Sequence, residues 1–297
     1  KNSKYCQENL DQYIRENIHI YTKGNPNKKN IMYVLQSDFR KDAFDNMGGT
    51  QFHVRDLTMN LKDEFNVYVV ARDRDYLRVT LYAGEEELSL KYYIGEKDGY
   101  PRIHDTDLYR LFKNILCAFE INLLHVHHIH GLSFDIYDAA KELNIPAIAT
   151  MHDFFYVCPS IKLINTDKVH CGGNCGDTKC SECLHQNAGM YVPDSYLEEW
   201  RSECKRVLGG CQQLVVPSQI VKDVYSNLYP ELADMIQVIE HGLEIKAEEL
   251  NLKGKEVRET QSVQMCYDAL FSDKSNPYAI NGWAYLSGVN SEYVTAY

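Results

Sequence analysis

A cluster of histidines follows a short apolar segment in the middle of the chain. Residues 124–126 run into His127, His128 and His130, and a second apolar segment, residues 147–150, runs into His152 and Asp153. Imidazole forms hydrogen bonds and exchanges protons near neutral pH, and a neighbouring carboxylate fixes its orientation. This pattern is typical of a site that binds a polar substrate and moves a proton.

A second group of reactive side chains lies between residues 158 and 183, where five of the ten cysteines follow the pattern C-x12-C-x3-C-x4-C-x2-C. Thiolates at this spacing, with glycines between them, suit a closed tetrahedral zinc site. Disulfides, which a reducing cytosol disfavours, and free thiols are the alternatives. His170 and His185 are further candidate ligands. The cysteines are Cys158, Cys171, Cys175, Cys180 and Cys183.

The histidines are positioned by a predicted βαβ unit in residues 124–159, in which an amphipathic helix separates the two apolar segments. Parallel strands place their carboxyl ends at one edge of a sheet, where ligands of open α/β folds bind. The side chains that follow the two strands are therefore expected to meet there. His125, which precedes the end of the first strand, is interpreted as structural.

The rest of the sequence predicts strands alternating with helices. This alternation predicts a Rossmann-like, doubly wound parallel sheet. Strands are predicted at residues 30–36, 65–70, 213–216 and 236–239, an edge hairpin at residues 76–82 and 87–93, and helices at residues 50–64, 104–119, 196–207 and 218–228, the last capped by Ser218.

Three regions are predicted along the chain. Residues 1–29 form a helical appendage or linker, and residues 30–243 form the Rossmann-like domain. Residues 244–297 contain a charged linker helix and a small, incomplete β-rich tail. The chain opens on Lys1 and closes inside a strand-like segment, so we expect it to be part of a longer protein.

Composition excludes some classes of function. The formal net charge of -11 and the pI of about 5.5 do not supply the basic face that a nucleic acid requires. We find no apolar run near the roughly 20 residues that span a bilayer, and the first residues lack a signal-peptide core. A cytoplasmic protein is predicted. Peripheral membrane association through a local basic patch is left open.

Several motifs together resemble the first domain of GT-B glycosyltransferases of the family 4 type. They are the strand and glycine pair of residues 30–49, TQFHV, HVHHIHG, TMHDFFYVCPS, the cysteine cluster, VVPSQIVKD and VIEHGLE, in the family's order. The resemblance covers residues 30–244. It implies retaining transfer of a sugar from a nucleotide-sugar donor to a glycan or lipid-linked acceptor, without a catalytic metal.

The resemblance also assigns roles to the clustered histidines. His127 matches the second histidine of the family's H-x-H strand end and is predicted to be catalytic, in contact with the transferred sugar. His128 and His130 either orient acceptor groups or cap the next helix. Asp153 binds a sugar hydroxyl or orients His152, and the alternative is that it caps the following turn.

Gly48 and Gly49 precede a predicted helix, so the backbone there can approach a diphosphate or an acceptor closely. The alternative is an ordinary turn. Thr50 and Gln51 complete this predicted substrate-binding segment. Among the cysteines, the resemblance favours a structural zinc site formed by the following four, with Cys175 as an alternative ligand: Cys158, Cys171, Cys180 and Cys183.

The family's donor domain follows the VIEHG segment and is expected to lie outside this chain, so the chain alone is predicted to be inactive. A sugar-nucleotide epimerase of GT-B architecture and a non-catalytic carbohydrate- or protein-binding module are the alternatives. A homodimer formed through the exposed tail strand is also left open.

Overall fold

The computed structural model describes residues 24–39, 48–84, 86–95, 102–166, 170–173, 177–241, 263–271 and 279–286. The chain divides into two compact units, Lys1–Asp38 with Thr58–Glu240, and Phe39–Leu57 with His241–Tyr297. The predicted domain boundaries stay predictions. The helices predicted near residues 2–21 and 244–259 lie outside the described residues.

The first unit contains an eight-stranded sheet in the order β4-β3-β2-β1-β5-β6-β7-β8. Strands β2, β1, β5, β6, β7 and β8 run parallel to one another, and the β3–β4 hairpin adds two antiparallel strands beside β2 at one edge. This confirms the predicted fold class and the edge hairpin. The strands are β1 Asn30–Leu35, β2 Asn66–Asp73, β3 Tyr76–Ala83, β4 Glu86–Tyr93, β5 Leu123–Val126, β6 Ala147–Thr150, β7 Gln213–Val216 and β8 Ile236–Val238.

Helices connect the parallel strands, as the alternating pattern predicts. They are α1 Gly49–Leu61, in which the unit boundary falls, α2 Thr106–Ala118, α3 Asp135–Glu142, α4 Asp177–Ala188, α5 Tyr196–Gly209, α6 Gln219–Leu228 and a 3-10 helix, Pro230–Met235. The Ser218 hydroxyl accepts a hydrogen bond from the amide of Val221 and caps α6, which confirms that prediction. Within the described ranges, no helix has the length and apolar character needed to cross a membrane.

The sheet supplies the centre of the core in the first unit. All residues of β1 after Asn30 are buried, as are the first six of β2, because helices or loops cover both faces of a parallel sheet. Helix α2 packs a stripe of side chains onto this core: Leu108, Leu111, Phe112, Ile115 and Leu116. The strands that carry the histidines are therefore held in a rigid frame.

The second unit contains a two-stranded antiparallel sheet. Strand β9, Val263–Phe271, pairs with β10, Ala279–Leu286, and the register shifts between Asn281 and Gly282. The strand-like tail segment of the sequence corresponds to β10. The sequence did not predict its partner β9.

Candidate functional site

The histidine cluster lies where the direction of sheet construction reverses. From β1 the chain moves to β2 on one side, and it later returns to add β5 on the other side of β1. The amides of His127 and His128 donate to the carbonyl of Val34, at 2.8 and 3.1 Å. These residues are therefore fixed at the carboxyl ends of β1 and β5, the position at which open α/β sheets form their ligand crevice.

His127 and His152 form a pair across the ends of β5 and β6. The His127 Nδ1 and His152 Nε2 atoms are 3.0 Å apart, and the edge of the Tyr33 ring packs against the His127 ring. A neutral imidazole has one N–H, so one ring donates and the other accepts. His127 is only 1% exposed, whereas His152 is half-buried. Of the two, His152 is the more accessible.

His128 has both ring nitrogens engaged. Its Nδ1 accepts from the amide of His130 at 3.0 Å, so its proton is on Nε2, which donates to Asp153 Oδ2 at 3.1 Å. The second Asp153 oxygen accepts from the amide of Phe155. In this geometry His128 positions Asp153 and the loop after β5, and Asp153 also caps the turn that follows β6.

The ring of His130 is only partly buried, within reach of His128 and Asp153. Burial lowers the pKa of His130, the neighbouring His128 adds to this effect, and the Asp153 carboxylate opposes it. His130 is therefore held in its neutral form, which can both donate and accept a hydrogen bond.

Two helices support the turn that carries His152 and Asp153. The Trp200 indole in α5 donates to the carbonyl of Phe155 at 3.1 Å, and the Tyr225 hydroxyl in α6 donates to the carbonyl of Asp153 at 2.8 Å. Sequence reasoning missed both supports. The apolar spacing of Leu197, Trp200, Cys204 and Val207 was the signal that Trp200 faces the core.

His125 has the environment of a packing element. Its Nε2 lies 2.7 Å from the Thr150 hydroxyl, and its ring lies beside those of Tyr33 and His127. Burial lowers the pKa of His125 from 6.5 to about 4. The folded protein thus holds this imidazole neutral.

Acidification should therefore weaken the fold through His125. Between pH 6.5 and about pH 4 the unfolded chain binds a proton at His125 that the folded chain does not. The free energy of unfolding should fall by about 1.4 kcal/mol for each pH unit of acidification in this window. Urea denaturation of the chain and of His125→Asn across the window checks this. Equal slopes for the two proteins would contradict it.

The predicted glycine segment belongs to the second unit. The Gly48 amide donates to the Gln51 side-chain oxygen at 3.0 Å, and the Phe52 amide donates to the Gly48 carbonyl at 3.2 Å. Gln51 thus reaches back to the residue before α1 and stabilises the start of the helix. Thr50 and Gln51 are buried, and Gly49 opens the helix. Their role in substrate binding stays a prediction.

The four favoured cysteines line one small cavity in the first unit, of about 10 Å³. None forms a disulfide. Burial raises the pKa of the Cys158 thiol and of the Cys183 thiol. His170 and His185 are exposed and do not line the cavity. Cys175 lies outside the described residues. The four are Cys158, Cys171, Cys180 and Cys183.

The doubly wound sheet, with polar side chains at the β1–β5 reversal, defines a Rossmann-like domain of the GT-B class. A family model described as Glycosyltransferase Family 4 matches residues 47–246, more than half of the chain. The chain belongs to glycosyltransferase family 4. No curated protein matches its sequence significantly.

Solved structures similar to the chain include UDP-N-acetylglucosamine 2-epimerases. One, from Neisseria meningitidis with bound UDP-GlcNAc, is 14% identical with a TM-score of 0.36, over 71% of this chain and 45% of that one. Another is 16% identical with a TM-score of 0.34, and the match covers 71% of this chain and 48% of that one. The chain thus spans less than half the length of these structures, and likeness at this level carries no conclusion about activity.

Proposed function

We propose that this chain supplies the acceptor side of a retaining glycosyltransferase, which moves a sugar from a nucleotide-sugar donor to a glycan or a lipid-linked acceptor. The observation that carries the proposal is the hydrogen-bonded pair of His127 and His152 at the β1–β5 reversal. Family membership supports glycosyl transfer as the reaction class.

The histidine pair has the chemistry that a sugar site requires. A sugar presents hydroxyl groups, which both donate and accept hydrogen bonds, and neutral imidazole can match either role. His152 is half-buried and is assigned the contact with a hydroxyl, while the buried His127 fixes its orientation and shares its proton. Together they form the reacting centre. Low local polarity strengthens hydrogen bonds of this kind.

Asp153 and His130 complete the proposed acceptor site. The Asp153 side chain is 30% exposed, and the carboxylate is held by His128 and by the amide of Phe155. A fixed carboxylate accepts hydrogen bonds from sugar hydroxyls without losing side-chain freedom on binding. His130 is assigned a similar contact with the acceptor.

The contact of this chain with the donor is assigned from the negative charge of the donor. A nucleotide-sugar carries a diphosphate, and the amino terminus of a helix favours an anion. Gly48, directly before α1, and the first residues of the helix, Gly49, Thr50 and Gln51, form such a terminus and are assigned to substrate binding. We propose that transfer requires a second, donor-binding domain of the whole protein.

The experiment is an assay of the whole protein with labelled nucleotide-sugars and glycan or lipid-linked acceptors. Formation of a labelled acceptor that keeps the anomeric configuration of the donor is the expected result. Conversion of the nucleotide-sugar to its epimer, with no acceptor product, would identify an epimerase instead. Binding of a glycan without turnover of any nucleotide-sugar would favour a non-catalytic module.

A further inference from the structure

The cysteine cavity lies outside the proposed acceptor site, and the segments around it are held together by several hydrogen bonds. The Cys171 amide donates to the carbonyl of Leu163 at 2.8 Å. Arg201, in α5, lines the cavity and donates to the carbonyls of Val157 and Gly173, at 3.0 and 2.6 Å. These contacts bring segments distant in sequence around one point.

Glycine is required in the wall of this cavity. Gly172 and Gly173 follow Cys171 with φ values of +59° and +80°, in the left-handed region that other residues rarely adopt. A Cβ atom on Gly173 would lie 2.9 Å from a methyl group of Val157. The backbone therefore turns sharply directly after a cysteine, as a chain does when it wraps a small ion.

We propose that Cys158, Cys171, Cys180 and Cys183 bind one structural Zn²⁺ ion in this cavity. Four thiolates are a common ligand set of structural zinc. The cavity of about 10 Å³ has room for a single particle the size of a water molecule, which suits one ion better than an iron–sulfur cluster, the other common partner of four thiolates.

The surroundings match the charge of such a site. Zn²⁺ with four thiolates carries a net charge of about -2, and the Arg201 guanidinium beside the cavity offsets part of it. Two further groups lie at hydrogen-bonding distance from the sulfur atoms, Asn187 Nδ2 at 3.2 Å from Cys183 and the Ser160 hydroxyl at 3.2 Å from Cys158. Groups of this kind orient thiolate ligands around a metal.

The side chains must adjust to bind the ion. Among the described residues, no three of these sulfur atoms lie within 4.8 Å of one another. Rotation about the Cα–Cβ bonds between staggered rotamers moves each sulfur while the backbone stays in place. Because α4 carries Cys180 and Cys183, the ion would tie this helix to the loop that follows β6.

Metal analysis of the chain, purified under reducing conditions without a chelator, tests the proposal. The expected result is about one zinc per chain, reduced at least tenfold in Cys180→Ser and Cys183→Ser. Cys117→Ser removes an exposed thiol of α2 and should retain the zinc. Metal-free folded protein, or iron in place of zinc, would overturn the proposal, and loss of zinc in Cys175→Ser would overturn this set of four ligands.

Two further measurements do not depend on removing a ligand. Asn187→Ala should weaken zinc affinity about 10–100-fold, whereas its exposed neighbour Gln186→Ala should leave the affinity unchanged. A chelator should also speed proteolysis of the unaltered chain between residues 158 and 190, and Zn²⁺ but not Mg²⁺ should reverse this. Equal proteolysis with and without chelator would contradict a structural ion.

Discussion

Replacing His127 with alanine is expected to lower sugar transfer by the whole protein about 10²–10⁴-fold, because it disables the His127–His152 pair that is proposed to act as a positioned general acid or base. The change removes the partner that orients His152, so the imidazole at the acceptor would lose its fixed direction. Turnover and KM for donor and acceptor, measured with the folded fraction followed by circular dichroism, provide the check.

His125→Ala is the matched control for this substitution. His125 lies two residues earlier, so the alternation of strand side chains puts it on the same face, and its ring is 4.0 Å from that of His127. Like His127→Ala, the His125→Ala substitution removes one side-chain hydrogen bond, in this case the one to the Thr150 hydroxyl. Both variants should lose similar stability, but only His127→Ala should lose transfer. Equal activity of the two would show that His127 acts as a packing residue.

Trp200→Ala is expected to lower the free energy of unfolding by about 3–5 kcal/mol. The indole is fully buried between Phe134 and Phe155, so its removal leaves a large cavity and leaves the Phe155 carbonyl without its donor. Urea denaturation monitored by circular dichroism measures the loss.

Tyr225→Phe separates hydrogen bonding from packing in the same region. It deletes only the hydroxyl that donates to the carbonyl of Asp153, so a loss of about 1 kcal/mol is expected. If Trp200→Ala lost no more than Tyr225→Phe, the cavity argument would fail. Both variants should also move His152, because the turn that carries it rests on these two helices.

Much of the fold follows from the sequence because short apolar runs mark the buried strands and a 3.6-residue repeat of apolar residues marks the helices. The apolar segments at residues 30–36, 147–150 and 213–216 are bounded by polar or turn residues, and β1, β6 and β7 form there. Ser218 sits directly before an amphipathic segment and caps α6. These elements depend on local signals alone.

Other elements depend on contacts that the sequence does not display. Helix α4 lies in a segment dominated by cysteine, glycine and polar residues, and its amphipathic pattern is weak, so only the i, i+3, i+4 spacing of Cys180, Cys183 and Leu184 indicates it. The tail strand β9 is followed by turn-forming residues, 272–277, but its own sequence lacks the strict apolar/polar alternation of a half-buried strand. It pairs with the next strand, β10, and the pairing begins between Phe271 and Ala279.

The histidine cluster and its roles were predicted, but the hydrogen-bond partner of each histidine was not. A strand places alternate residues on one face, which explains why His125 and His127 are neighbours. The pairing of His128 with Asp153 depends on which His128 nitrogen accepts from the His130 amide. That detail is set by the loop conformation, and no spacing rule contains it.

The most direct test of the account is the NMR signal of the histidine side chains in the ¹⁵N-labelled chain, titrated with the acceptor that the transfer assay identifies. We expect the imidazole signals of His127 and His152 to shift together at saturation, while those of the exposed His104 and His185 stay in place. Saturable acceptor binding that leaves the His127 and His152 signals unchanged would contradict a sugar site at the β1–β5 reversal.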